Sequence, residues 1–367
     1  MFFRFLSIFL AGAVATILRA EDIMTGAGKM TIEPIVQDLT TPWSFGFLPN
    51  GDLLITEREG ALLYVFASGS RHIVSGTPKV AANGQGGLLD VLVPRDFSAT
   101  REIFLTYSAD QGAGEGTAVA RAVLTEDGKS LTDGTVIFEI EPGSRGGRHF
   151  GSRIVEGPKG FFYITVGDRG DRPSAQDLSR HNGSVVRIAR DGSVPDDNPF
   201  VGQSGIQPEI WSYGHRNPQG AAVDALGRIW VSEHGARGGD EINLIRKGAN
   251  YGWPVIAYGR HYSGEKIGEG TSKPGMEQPV HYWDPSIAPS GMVFHSGRKI
   301  PAWRGHAFVG SLKFDYISRL AGSPLREVEQ IHADATTRIR DVREGPDGGL
   351  WFLSIGNGTL FRMSLKD

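Results

Sequence analysis

An all-β fold, a six-bladed β-propeller of four-stranded antiparallel blades, is predicted by three features of this 367-residue chain. Glycine is abundant, 51 residues, about twice ordinary usage. Long helical periodicity is missing beyond the first twenty residues. Four segments repeat one pattern, a tight glycine turn, a short apolar strand and a polar, glycine-rich loop: PNGDLLITEREG (49–60), GPKGFFYITVGDRG (157–170), DALGRIWVSEHGARG (224–238) and GPDGGLWFLSIGNG (345–358).

The turn glycines are Gly51, Gly160, Gly227 and Gly348, separated by 109, 67 and 121 residues. The two long gaps are about double a unit of roughly 55–60 residues. Weaker copies fall where the missing units belong, PRDFSATREIFLTYS (94–108) and SGRKIPAWRGHAFVGSL (296–312). Six units of that size suit radial closure, which leaves few exposed sheet edges. A two-sheet sandwich is the alternative, but it has no need of six similar units.

The N-terminus MFFRFLSIFLAGAVATILRA carries one early cation, Arg4, an apolar run from Phe5 to Leu18, and small-residue exits at Ala13-Val14-Ala15 and Ala20. That is the layout of a secretory leader over residues 1–20. The run is short of the roughly 20 residues a bilayer span needs. Residues 21–367 are then expected to form a single propeller domain, periplasmic, with no stable membrane insertion. Losing Arg4 and Arg19 with the leader takes the net charge from −3 to −5. An acidic chain gives no electrostatic footprint for nucleic acid. With no cysteine there is no disulfide framework, thiolate metal site or thiol nucleophile.

In a propeller, equivalent loops converge on the central channel, so loop residues far apart in sequence are read as one set. His149 precedes the strand of the second strong repeat, and Asp168 follows it, with the Gly157–Gly160 turn midway between them. Imidazole titrates near neutrality and suits a general base; Asp168 would fix its tautomer. A hydrogen-bonded structural histidine would have the same spacing. Gln85 lies in NGQGGLLD and Asn217 in SYGHRNPQG. Arg216, Lys313, Arg338 and Arg340 are cations in equivalent loops, suited to a ligand bearing several carboxylates or phosphates. EHGARGGDEIN (233–243) offers carbonyl and carboxylate oxygens for a hard cation, although a plain turn reads the same way. No G-x-S-x-G, H-E-x-x-H, P-loop or G-x-G-x-x-G signature is present.

Taken together, NGQGGLLD, SYGHRNPQG and EHGARGGDEINLIRKGANYGWP, in that order, resemble the soluble sugar dehydrogenases that depend on pyrroloquinoline quinone (PQQ), and among them the aldose sugar dehydrogenase branch. The resemblance covers nearly all of the mature chain and implies the same six-bladed fold. It implies that Arg216, Lys313, Arg338 and Arg340 hold PQQ, with Asn217 donating a hydrogen bond. A catalytic Ca2+ would be bound by the Gly235 and Ala236 carbonyls, and a second, structural Ca2+ near Glu241 and the Tyr251 carbonyl. His149 would take the anomeric proton of an aldose, Asp168 orient it, and Gln85 bind the substrate hydroxyl; the product is a lactone, and electrons leave to an external acceptor.

Three positions depart from the glucose-specialised branch: Arg148 in place of Asp, Ala236 in place of Pro, and His234 in place of Gln. They favour a broad aldose range. A non-catalytic ligand- or glycan-binding propeller and a metal-dependent lactonase are the competing functions.

Overall fold

The computed structural model describes residues 18–366. Six antiparallel sheets are arranged as blades. Their innermost strands are Pro42–Phe47, Leu88–Leu92, Ile154–Glu156, Pro218–Val223, Pro289–Phe294 and Ile339–Glu344. Each packs on the next and the last packs on the first, which closes the ring around a central channel.

The six repeats found in the sequence are all second strands: Leu53–Glu57, Glu102–Asp110, Phe162–Val166, Ile229–Glu233, Ala307–Ser311 and Leu350–Ser354. Gly51, Gly160, Gly227 and Gly348 have φ between +76° and +88°, the left-handed conformation that glycine adopts without a Cβ clash. The weaker copies use other devices. In one, a four-residue helix, Phe97–Thr100, ends on Arg101 at φ +55°; in the other, a 3-10 turn over Pro301–Trp303 precedes Gly305.

Second strands are buried on both faces because every blade is stacked between two others, hence their near-continuous apolar runs. The apolar core is accordingly divided into seams between neighbouring blades. Leu54 and Tyr64 meet Leu105 and Ala120 at one, and Phe45 and Ile55 meet Leu353 and Leu360 at another.

Five blades have four strands, as expected; the closing blade has five. Gly28–Val36 adds to Thr359–Leu365, and Glu21–Thr25 covers the remaining edge. Joining N- and C-terminal strands in one sheet ties the ring shut by backbone hydrogen bonds. The leader expected over residues 1–20 lies outside the described residues up to position 17. Leu18 packs on the closing blade's core, and its N–H donates to Gln37 Oε1 at 3.1 Å. Among the described residues no helix is long and apolar enough to cross a membrane.

Candidate active site

A cavity of about 600 Å³ opens at one end of the channel. Its floor comes from an irregularity repeated around the ring. Five innermost strands carry a register shift, one between Pro289 and Met292 and four beside the cavity, between Pro42 and Ser44, Leu88 and Val91, Pro218 and Gly220, and Ile339 and Asp341. A bulge re-aims the side chain it contains. The residues so released, Trp43, Leu89, Gln219 and Arg340, all line the cavity.

Next to this floor lie four paired charges, three buried and that of Arg343 partly exposed. Arg153 Nη1 lies 3.1 Å from Asp341 Oδ1 and 3.4 Å from Asp90 Oδ1. Arg343 reaches Asp90 at 2.7 Å and Asp341 at 3.0 Å. Two carboxylates against two guanidiniums leave no net charge. The network also meets the floor, since Arg153 donates to the carbonyls of Gln219 and Arg340 at 2.8 and 2.9 Å.

Gln85, Asn217, Lys313, Arg338 and Arg340, all expected from the sequence, line the cavity. Arg340 donates from Nη1 to Gln219 Oε1 at 2.7 Å, while its buried Nε has no partner. Burial, reinforced by the Arg153 charge, pushes its pKa down to about 9. Arg338 holds the Leu312 carbonyl at 3.2 Å. Arg216 is 7 % exposed, and its Nε is likewise unpartnered. None of these four cations forms an ion pair among the described residues. Arg216 is buried and Arg340 half-buried, while Lys313 and Arg338 are exposed; an uncompensated buried cation is costly, so the donor set fits a polyanionic ligand. Asn217 accepts at Oδ1 from the Gly151 N–H and from Gln219 Nε2, which leaves its own N–H groups for a ligand.

His149 and Asp168 meet beside the cavity. Strand Ile154–Glu156 pairs with Phe162–Val166 in the register Ile154↔Ile164, so continuing five residues brings position 149 level with 169. The approach is close enough that a Cβ on Gly167 would lie 2.1 Å from the His149 carbonyl oxygen. His149 itself takes φ +55°, an uncommon conformation for a residue with a Cβ. Its Nδ1 is 2.6 Å from Asp168 Oδ1, and its main-chain N–H donates to Gln85 Oε1 at 2.8 Å.

Asp168 is fully buried and satisfied: Oδ1 also accepts from Gly170 N at 2.7 Å, and Oδ2 from Trp253 Nε1 at 2.8 Å. Acceptor-only, Asp168 requires the imidazole proton on Nδ1, leaving the Nε2 lone pair free. Burial lowers the His149 pKa, opposed by the Asp168 hydrogen bond and assisted by Arg216. Burial acts to raise that of Asp168, but the His149 and Gly170 contacts and the Arg216 charge hold it below its usual value.

The four positions proposed for calcium, Gly235, Ala236, Glu241 and Tyr251, line one small cavity of about 20 Å³ with Arg216 and Glu233. Burial and the neighbouring Glu233 push the Glu241 carboxyl up to about 8, against a hydrogen bond from Asn243. Two close carboxylates beside space for one atom fit a bound cation. The described residues contain no cluster of three or more His, Cys, Asp or Glu side chains able to hold a metal, so any cation here also needs carbonyl oxygens, as hard cations accept. His234 lines both cavities; its Nε2–H donates to the Pro289 carbonyl at 2.8 Å, and burial followed by the Arg216 and Arg340 charges pushes its pKa down to about 3.

Sequence reasoning missed Trp253, Glu233, Gln219 and Trp43. Trp253 lies 85 residues beyond Asp168, and no spacing announces that contact. Glu233 ends a second strand and accepts from His215 Nδ1 at 2.9 Å and the Arg216 N–H at 2.8 Å. It opens a segment already singled out and was the readable one. Gln219 and Trp43 reach the cavity through bulges, which leave no composition signal.

A propeller with a cation-lined axial cavity and a carboxylate-oriented imidazole defines a class of site built for an anionic cofactor and proton abstraction. The profile of the Glucose / Sorbosone dehydrogenase family matches residues 39–362, and the chain belongs to that family. It is 43 % identical over 364 residues to an aldose sugar dehydrogenase of Escherichia coli, covering 96 % of this chain and 98 % of that one. Among solved structures, the soluble aldose sugar dehydrogenase of Escherichia coli in its apo-form superposes with a TM-score of 0.88, at 43 % identity, over 92 % of this chain and all of that one. The PQQ-bound aldose sugar dehydrogenase of Streptomyces coelicolor gives 0.76 at 26 % identity, over 92 % and 98 %.

Proposed function

We propose that this chain is a PQQ- and Ca2+-dependent dehydrogenase that oxidises the anomeric carbon of aldoses to lactones. The observation that carries this reading is the placement of an oriented imidazole, its pKa lowered by burial, beside a cavity in which Lys313, Arg338 and Arg340 have no carboxylate partner among the described residues. A bound quinone would supply the hydride acceptor as the C1–H bond breaks and C1=O forms, and calcium would supply Lewis acidity.

The chain's own groups supply the rest. His149 Nε2 takes the anomeric hydroxyl proton, and its lowered pKa keeps it unprotonated at neutral pH. Asp168 holds the tautomer and stabilises the imidazolium that forms. Gln85, anchored through Oε1 to the His149 main chain, keeps its Nε2–H groups for a substrate hydroxyl. Arg216, Lys313, Arg338, Arg340 and Asn217 hold the PQQ carboxylates and quinone oxygens. In the small cavity, which has room for one ion, Glu241 and Glu233 with the Tyr251 carbonyl would hold the structural calcium; the Gly235 and Ala236 carbonyls would hold the catalytic calcium where PQQ binds. Residues 1–20 act as an export leader, the rest functions as one periplasmic domain, and electrons pass to an external acceptor.

The test is reconstitution of cation-free apoprotein. Added PQQ with Ca2+ should bind, raise the thermal midpoint and restore dye-linked oxidation of aldoses. A chain that binds no PQQ, or that hydrolyses lactones without it, would overturn the assignment.

A further inference from the structure

Two arginines beside the His149–Asp168 pair have no charge partner among the described residues, and the proposed reaction assigns them nothing. Arg148 is exposed, and its guanidinium lies against Gly170: a Cβ there would be 2.3 Å from Arg148 Nε and 3.1 Å from Cζ. Gly170 is the residue whose N–H donates to Asp168 Oδ1. Arg172 is half-buried on the same loop, with Cζ 5.7 Å from the ring of Trp253, which donates to the other Asp168 oxygen. Its Nη1 donates to His261 Nδ1 at 2.7 Å, a partner that adds no negative charge.

Other arginines are paired. Arg153, Arg190, Arg319 and Arg343 all contact carboxylates. The carboxylates on the loop itself are engaged elsewhere, Asp168 with His149, Gly170 and Trp253, and Asp171 with Arg180 at 3.6 Å. Two guanidiniums without a carboxylate partner among the described residues therefore flank the groups that hold Asp168, next to the imidazole that would meet the C1 hydroxyl. Planar guanidinium donors match carboxylate and phosphate oxygens.

We propose that Arg148 and Arg172 form an anion subsite beside the proton-abstracting imidazole, so that the preferred substrates are aldoses carrying a carboxylate or phosphate away from the anomeric carbon. This rests on the proposed dehydrogenase reaction. The oxidation at C1 is unchanged: two electrons and the C1 hydrogen leave as hydride to the quinone, and the hydroxyl proton goes to His149. The anion itself takes no part in the bond changes and acts through affinity.

The experiment compares kcat/KM of the PQQ- and Ca2+-loaded protein for D-glucuronate, D-glucose 6-phosphate and D-glucose at low ionic strength. At least one anionic sugar should exceed glucose by roughly tenfold, the order expected of a charge-assisted contact at a half-exposed site. Which anion wins distinguishes carboxylate from phosphate. The anion-to-glucose ratio should fall about tenfold in Arg148→Glu and in high salt, through KM and not kcat, and recover partly in Arg148→Lys. Binding of D-glucuronate and D-glucose 6-phosphate to the apoprotein, followed by saturation-transfer NMR with and without Arg148→Glu, decides the subsite even if no sugar is oxidised. Failure of oxidation alone sinks the dehydrogenase reading. Equal handling of all three sugars, with ratios and apoprotein binding unmoved by charge reversal, overturns the subsite.

Discussion

Asp168→Asn separates the two duties of the buried carboxylate. In the native site its oxygens face three donors: the His149 Nδ1–H, the Gly170 N–H and the Trp253 Nε1–H, at 2.6, 2.7 and 2.8 Å. An amide has one acceptor end. If its oxygen turns to Trp253, the new NH2 faces Gly170 and His149, and the imidazole must accept at Nδ1 and carry its proton on Nε2. The base is then lost. If the oxygen stays with His149 and Gly170, NH2 collides with the Trp253 N–H, leaving buried donors unpaired at about 1–3 kcal/mol.

In the first arrangement the Gly170 N–H likewise faces NH2, so each arrangement leaves one donor opposed; both also lose the negative charge that stabilises the imidazolium, and kcat should fall by about 10²–10⁴-fold, the usual worth of a positioned general base. PQQ affinity should stay near wild type, because Asp168 faces the imidazole and not the cations. The assay is dye-linked sugar oxidation after reconstitution, over pH 5–8. In wild type, activity should fall on acidification through a pKa below the ordinary histidine value of about 6.5, since burial favours neutral His149. The variant loses the one strong influence that raises that pKa, so its residual acid limb should lie lower still. Asp168→Asn combined with Trp253→Phe removes the opposing donor and should recover part of the rate. An Asp168→Asn protein within threefold of wild-type kcat would refute the assigned tautomer and with it the role of His149.

Arg340→Gln should weaken PQQ binding by roughly 10–100-fold, the cost of one charge-assisted contact; apoprotein stability should hold or rise, because a buried cation with an unpartnered Nε is removed. A PQQ titration with parallel thermal unfolding reads both. Asp90→Ala leaves Asp341 alone against Arg153 and Arg343 and strips acceptors from the Ile154 and Val91 N–H groups, so denaturant unfolding should report a loss of about 3–5 kcal/mol. A loss below about 1 kcal/mol would mean that water enters and solvates that part of the channel.

The repeat of turn and second strand was legible because it rests on local chemistry. Gly51, Gly160, Gly227 and Gly348 meet a backbone requirement set within a few residues, and each apolar strand that follows reports burial on both faces. Where another residue met the requirement, as Arg101 does, the same unit was faint. The pairing of His149 with Asp168 was also open to sequence, since one hairpin carries both and its register is set by the turn between them. The expectation that the cations stand in equivalent loops held only in part: Arg216, Asn217 and Arg338 precede innermost strands, Lys313 follows a second strand, and Arg340 lies inside the innermost strand Ile339–Glu344, reaching the cavity through its bulge.

What the sequence determined by itself, then, is the set of units and the chemistry on their loops, both governed by contacts short along the chain. Only the tertiary structure decided that Trp253 completes the Asp168 shell, that Glu233 shares the Glu241 cavity, and that Trp43, Leu89, Gln219 and Arg340 face one floor. Those contacts join separate segments through bulges and blade packing, and their energies depend on burial that exists only once the ring has closed.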